Sequence, residues 1–202
     1  MLKYFLLMII VLSMFSTSAF ADTIANRFGI TGRIGVVAPL DNEFVKDTSD
    51  TKSGVAYNGG FIYGFTDHIA SELEISYIPK LEVEIDGDTA YDAQMTDISL
   101  GLQYRFMPEK SLVPFIGIGV DFIEGKLDYL DGGSYDMAWT YGGHINAGLD
   151  WFITKGIALT ADVRCTAAAT GDVEKGSTKV TEYDPLWFQG TVGFRLILPE
   201  KW

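Results

Sequence analysis

From Phe28 onward, apolar residues recur at every second position: Phe28, Ile30, Ile34 and Val36 fall on one side, and Arg27, Thr31 and Arg33 on the other. An extended chain produces a repeat of two, because successive side chains point to opposite faces. The repeat returns seven more times. Its apolar sets are Val55, Tyr57, Phe61, Tyr63, Phe65; Leu73, Ile75, Tyr77; and Ile98, Leu100, Leu102, Tyr104, Phe106. The second half adds Ile116, Ile118, Val120, Phe122; Trp139, Tyr141, Ile145, Ala147, Leu149, Trp151; Ile157, Leu159, Ala161, Val163, Cys165; and Phe188, Val192, Phe194, Leu196, Leu198. The opposite faces carry charged and amide side chains interspersed with glycine. The pattern predicts an all-β fold of eight strands, each with one apolar and one polar face.

Two features decide which face points inward. The apolar sets end in large aromatics, with Phe28, Phe65, Phe106, Trp151 and Phe194 at one rim and Tyr57, Tyr77, Phe122, Trp139 and Phe188 at the other. Paired aromatic girdles suit the two interfaces of a membrane. The connections also alternate between short and long. Short ones fall around residues 66–68, 107–112 and 152–156, and long ones span residues 39–53, 79–93, 124–136 and 167–184. Short periplasmic turns and long outer loops are the layout of an outer-membrane barrel. The expectation is therefore an eight-stranded antiparallel up-and-down transmembrane β-barrel, with lipid against the apolar face and every backbone group paired in a closed sheet. A soluble lipocalin-like barrel, with the faces reversed, is the alternative.

The N-terminus agrees with export. An apolar run from Phe5 to Phe15 follows Lys3 and precedes Ala19-Phe20-Ala21, the form of a secretory signal peptide cut after Ala21. Residues 1–21 are then the signal and residues 22–202 the barrel domain. The net charge of −12 becomes −13 when Lys3 is lost, which excludes nucleic acid as a natural partner. Cys165 is the sole cysteine, so no disulfide staples the fold.

The polar faces converge in the lumen. Arg27, Arg33, Arg105, Arg164 and Arg195 meet Glu72, Glu74, Asp97, Asp121, Asp150 and Asp162, with His144 and Asn146 among them. Eight strands enclose a space that side chains fill, so these groups are expected to form a buried network rather than line an aqueous pore. Sorting the inward residues by height places Val37, Ile78, Met95, Ile123 and Trp187 near the outer rim, an apolar mouth above a polar plug. A small hydrophobic ligand needs such a site; a mouth filled by loop side chains counts against it. The glycines of the inner face are expected to leave room for Phe115 and the arginines.

The acidity lies in the long connections, which hold seventeen acids against six lysines. The densest stretch, Glu82 to Asp92, matches no calcium loop, so no metal site and no cofactor are expected. It reads as a solvated surface, with cation bridging to lipopolysaccharide as the functional variant. Catalysis lacks its parts. The only histidines are His68, in a short turn, and His144, in the lumen with no serine beside it, so no serine-histidine-acid set exists for an acyl-transfer enzyme.

Three segments, YDPLWFQGTVGFRL (Tyr183 to Leu196), LVPFIGIGVDF (Leu112 to Phe122) and GIALTADVRC (Gly156 to Cys165), resemble the small eight-stranded outer-membrane barrels, most closely the outer membrane protein W group. The resemblance implies a monomer of Gram-negative outer membranes, surrounded by lipid and lipopolysaccharide and inserted by the barrel assembly machinery. It also implies a narrow hydrophobic channel for small apolar molecules. One departure stands at the C-terminus, where family members end on a strand with a terminal aromatic and this chain continues through Pro199 to Trp202. Phe194 and Trp202 both remain candidates for the assembly signal. A structural or adhesive barrel displaying acidic loops, without transport, is the alternative function.

Overall fold

The computed structural model describes residues 23–41, 44–46, 48–129, 132–176 and 178–198. The signal peptide, the acids Glu43, Asp47 and Asp131, and Trp202 lie outside the described residues. Among those residues the chain forms eleven strands: β1 (Phe28–Pro39), β2 (Asp50–Thr51), β3 (Gly54–Gly64), β4 (Ile69–Ile85), β5 (Asp88–Arg105), β6 (Leu112–Tyr129), β7 (Ser134–Thr154), β8 (Ile157–Ala168), β9 (Gly171–Lys175), β10 (Thr178–Tyr183) and β11 (Leu186–Ile197).

Eight of them close on themselves. Antiparallel ladders run from β1 through β3, β4, β5, β6, β7 and β8 to β11, and β11 returns to β1 with Ile30 opposite Leu196 and Val37 opposite Gln189. Closure leaves the barrel wall with no free edge, as a spanning sheet requires. No described helix is long and apolar enough to cross a membrane, so any crossing is made by these strands.

Burial follows the alternation, inverted relative to a soluble protein. Ile118 and Tyr141 are 64% and 71% exposed, whereas Arg195 and Asp97 are wholly enclosed. In water that arrangement would expose a broad apolar surface while burying charge, and both are unfavourable. Lipid removes the first cost. At the short-turn rim, aromatic contacts tie neighbouring residues together: Phe28 to Tyr63 at 4.6 Å between ring centres, Tyr63 to Phe65 at 5.1 Å, and Tyr104 to Phe106 at 4.9 Å.

The long connections differ from expectation. Residues 79–93 are not a loop, since β4 continues to Ile85 and β5 begins at Asp88 across a turn at Asp86 and Gly87, both with positive φ. Residues 124–136 likewise extend β6 and β7, and residues 167–184 contain β9 and β10. The cause is an alternation hidden among the acids. Leu81, Val83, Ala93, Leu127, Met137 and Val173 are buried on the inner side while the acids between them face out.

Glycine sets the approach of β1 to β11, the seam that joins the first and last barrel strands. A Cβ on Gly35 would run into the carbonyl oxygen of Gly190, and one on Gly193 into that of Gly32. Both obstacles are backbone, which rotamer changes cannot relieve.

Candidate functional site

The barrel interior is built in three layers. At the short-turn end, Ile24, Ile62, Ala70, Val113, Phe152, Ala158 and Ile197 form a buried apolar floor. Arg27 sits at this level, its guanidinium donating to the carbonyls of Leu198 at 2.9 Å, Thr23 at 3.3 Å and Ile197 at 3.5 Å. The pattern of inward residues contained this floor, but attention to the charged positions passed over it.

The middle layer is the polar plug. Arg195 donates to Asp150 at 2.6 Å, to both oxygens of Glu72 at 2.9 and 3.0 Å, and to the Thr31 hydroxyl at 3.1 Å. Arg105 reaches the same Asp150 oxygen at 2.8 Å. The Phe115 ring packs against both guanidiniums, its centre 5.6 Å from Arg195 and 6.0 Å from Arg105. Arg33 bonds Glu74, which also takes Arg164 at 2.9 Å and the Asn58 amide at 2.9 Å. Asn146 donates to Asp162 at 2.7 Å, and His144 Nδ1 lies 2.8 Å from Asp121. The plug therefore brings together the predicted network residues from Arg33 to Arg195, held from seven of the eight barrel strands. Gly148 leaves the space that Phe115 fills, and Gly117 and Gly119 leave the spaces of Asn146 and His144, since a Cβ at each would collide with those side chains.

One member of the plug lacks a bonding partner. Asp97 is wholly buried, neither of its oxygens accepts a hydrogen bond from a described residue, and its charged neighbours include Asp121 and Glu74 as well as Arg164. Asparagine at this position removes a buried charge that faces Asp121 and Glu74 and supplies an N–H donor in its place, a change worth about 1 to 3 kcal/mol. Asp97→Asn is therefore expected to stabilise the folded barrel by that amount, seen as a higher urea midpoint in lipid vesicles; a lower midpoint contradicts this account of Asp97.

The upper layer contains the predicted mouth. Val37, Ile78, Met95, Ile123 and Trp187 are all buried and share one apolar cluster. Phe44, Val45, Val173 and Tyr183, from the segments above, are packed into the same cluster. Height sorting did not reveal these residues, because they belong to extensions read as loops. The Tyr183 hydroxyl donates to the Ala138 carbonyl at 2.6 Å and fixes that packing. Tyr91 and Tyr135 close the cluster from above, with the Tyr91 hydroxyl 3.2 Å from that of Tyr129. Burial, aided by the Tyr129 hydroxyl, pushes the Tyr91 phenol up to about 12, so Tyr91 stays a neutral donor.

The wall beside this layer is interrupted. The β3–β4 ladder ends at Tyr57 opposite Tyr77, and backbone pairing resumes where the Lys52 N–H donates to the Glu82 carbonyl at 2.8 Å, ahead of Thr51 opposite Val83 on β2. The β4–β5 register shifts between Ile78 and Leu81. Pro79 lies at both breaks, and it has no N–H to offer either neighbour. The histidines take no part here: His144 belongs to the plug, and His68 stacks on Tyr104 at 5.6 Å near the short-turn end. Among the described residues no group of metal-ligating side chains is assembled.

A closed eight-stranded sheet with an apolar outer wall, two aromatic rims and a charged interior defines a transmembrane β-barrel of the outer membrane. The chain belongs to the family described as Outer membrane protein beta-barrel domain, which it matches over residues 7–195. Solved structures similar to it include the outer membrane protein OprG from Pseudomonas aeruginosa, at 18% identity, covering 88% of this chain and 99% of that one, with a TM-score of 0.67. AlkL in lipid bilayers, at 18% identity and a TM-score of 0.59, covers 90% of this chain and 94% of its own. Outer membrane protein W of E. coli, at 16% identity over 85% of this chain and 98% of that one, has a TM-score of 0.45. The search of curated proteins gave no match. The likenesses to OprG and AlkL establish the fold, and the family is the group of small outer-membrane barrels read from the sequence.

Proposed function

We propose that this outer-membrane barrel binds small apolar molecules in its upper layer and releases them sideways at the outer membrane interface, through the wall around Pro79 just beyond the Tyr57–Tyr77 rim. One observation carries the reading: a buried apolar cluster stands directly above a charged plug and directly beside an interrupted β-ladder. An apolar solute gains nothing by entering the plug, where it would separate buried ion pairs. Exit at the level of the Tyr57–Tyr77 rim leaves the plug's ion pairs intact and disturbs only the exposed pairs of Lys80 with Glu82 and Asp92. The role is binding and transfer without catalysis. The reading takes the protein as a monomer of a Gram-negative outer membrane, exported by a cleaved signal peptide and inserted by the barrel assembly machinery. Lipid and lipopolysaccharide surround it.

A second reading, a structural or adhesive barrel without a ligand, is favoured by the presence of Phe44 and Val45 inside the mouth. On the first reading those two side chains occupy the ligand's place and yield it. The test is titration of naphthalene into the protein in lipid nanodiscs, followed at the Trp187 indole by NMR. Phe44→Ala, which vacates the place, is expected to tighten binding about tenfold, and Met95→Trp, which fills it, to abolish binding. An indole signal that never moves, in the wild type and in Phe44→Ala alike, supports the structural reading instead.

A further inference from the structure

Three buried polar groups without partners belong to residues that the register sets side by side at the base of the apolar mouth. Trp187 and Thr166 are wholly enclosed and Gln189 is 2% exposed, yet Trp187 Nε1, Thr166 Oγ1 and Gln189 Oε1 have no hydrogen-bond partner among the described residues. The side chains beside them hold partners of their own. Gln189 uses its amide nitrogen on Asn58 at 2.8 Å, and Arg164, beside it on β8, bonds Glu74 and Ser99. The three residues are adjacent by register: Trp187 and Thr166 are cross-strand partners, and Gln189 follows Trp187 on the same face of β11. Cross-strand partners stand with Cβ atoms about 4.5 to 5.5 Å apart, and same-face residues on one strand about 7 Å apart.

The chemistry of the three is complementary. The indole N–H only donates, the amide oxygen only accepts, and the threonine hydroxyl does either. A single hydroxyl placed among them accepts from Trp187 and donates to Gln189 or Thr166. A pure hydrocarbon leaves all three unsatisfied, at about 1 to 3 kcal/mol for each group so stranded. The mouth above is apolar throughout.

We propose that the ligand of this barrel is a hydroxylated apolar molecule, an alcohol or phenol whose hydrocarbon body fills the upper cluster and whose hydroxyl is read by Trp187, Thr166 and Gln189. This rests on the apolar-site reading above and adds its specificity. It assigns these three residues a positioning role that composition and strand pattern do not reveal, because only Trp187 stood out as apolar.

The experiment compares naphthalene with 2-naphthol, which share a ring system and differ by one hydroxyl, by calorimetry against the full barrel in lipid nanodiscs. 2-Naphthol is expected to bind at least about tenfold tighter after subtraction of its partition into empty nanodiscs. Thr166→Val, which keeps shape and removes a buried hydroxyl, is expected to bring that ratio down about fivefold. Trp187→Phe is expected to lower it further, and unchanged heat-modifiability on electrophoresis confirms that each variant folds. Equal binding of the two compounds to the wild type overturns the hydroxyl assignment and leaves the apolar site standing. If neither compound binds, the apolar site falls and this inference with it.

Discussion

Arg195→Ala is expected to cost the folded barrel about 3 to 5 kcal/mol, because it leaves buried charge uncompensated on two sides of the plug. Arg195 is wholly enclosed, and its guanidinium is shared between Asp150 on β7 and Glu72 on β4, strands on opposite arcs of the barrel, with Thr31 of β1 as a third partner. Removing it leaves Asp150 with Arg105 and Glu72 with Arg33 at 3.9 Å, each a weaker arrangement than before. The measurement is the urea midpoint of refolded protein in vesicles, read by the loss of electrophoretic heat-modifiability. A variant combining Arg195→Met with Glu72→Gln is expected to recover part of the loss, since Asp150 keeps Arg105 at 2.8 Å, Arg33 keeps Glu74, and residue 72 no longer carries a charge. A single Arg195→Ala that unfolds at the wild-type midpoint contradicts the plug as a source of stability.

Gly193→Val is expected to prevent closure altogether. Gly193 faces Arg33 across the seam and Gly35 faces Thr191, so the two glycines sit on facing strands where the chain's beginning meets its end. A β-branched side chain at 193 would occupy the space of the Gly32 carbonyl, and backbone on both sides is held by the ladder. Overpacking against flexible side chains costs a few kcal/mol, but here the yielding group would be the hydrogen-bonded sheet itself. Refolding into vesicles should yield less than about a tenth of the wild-type heat-modifiable band. By contrast, Gly32→Val and Gly59→Val meet nothing within 4 Å and are expected to fold normally. If Gly193→Val folds as those two do, the seam is not the cause.

Much of this architecture was legible because one rule, a repeat of two, governs lipid-facing strands and survives every local irregularity. Phe28, Ile30, Ile34 and Val36 announced their face, and Arg33 announced the other. The reading failed where a second signal masked the first. Acids at Glu82, Glu84 and Asp92 made residues 79–93 look like a solvated loop, although Leu81, Val83 and Ala93 kept the alternation and are fully buried. The same masking concealed Val173 and Tyr183, and with them the filling of the mouth. Phe44 and Val45 carry no pattern at all. They reach the cluster through a single bridge between Val45 and Tyr183, which depends on residues far apart in the chain. The five mouth residues could be placed by counting positions along strands, whereas the unsatisfied atoms of Thr166 and Gln189 depend on where neighbouring side chains turn.

The central claim is that the lumen is closed by its own side chains, so that nothing dissolved in water passes along the barrel axis. Conductance across a planar lipid bilayer tests it most directly, using protein shown to be heat-modifiable in the same preparation. A plug held by Arg33, Arg105, Arg164 and Arg195 against Glu72, Glu74 and Asp150 predicts no steady ionic current above that of the bare membrane. A stable, ohmic single-channel current from the folded barrel would contradict it.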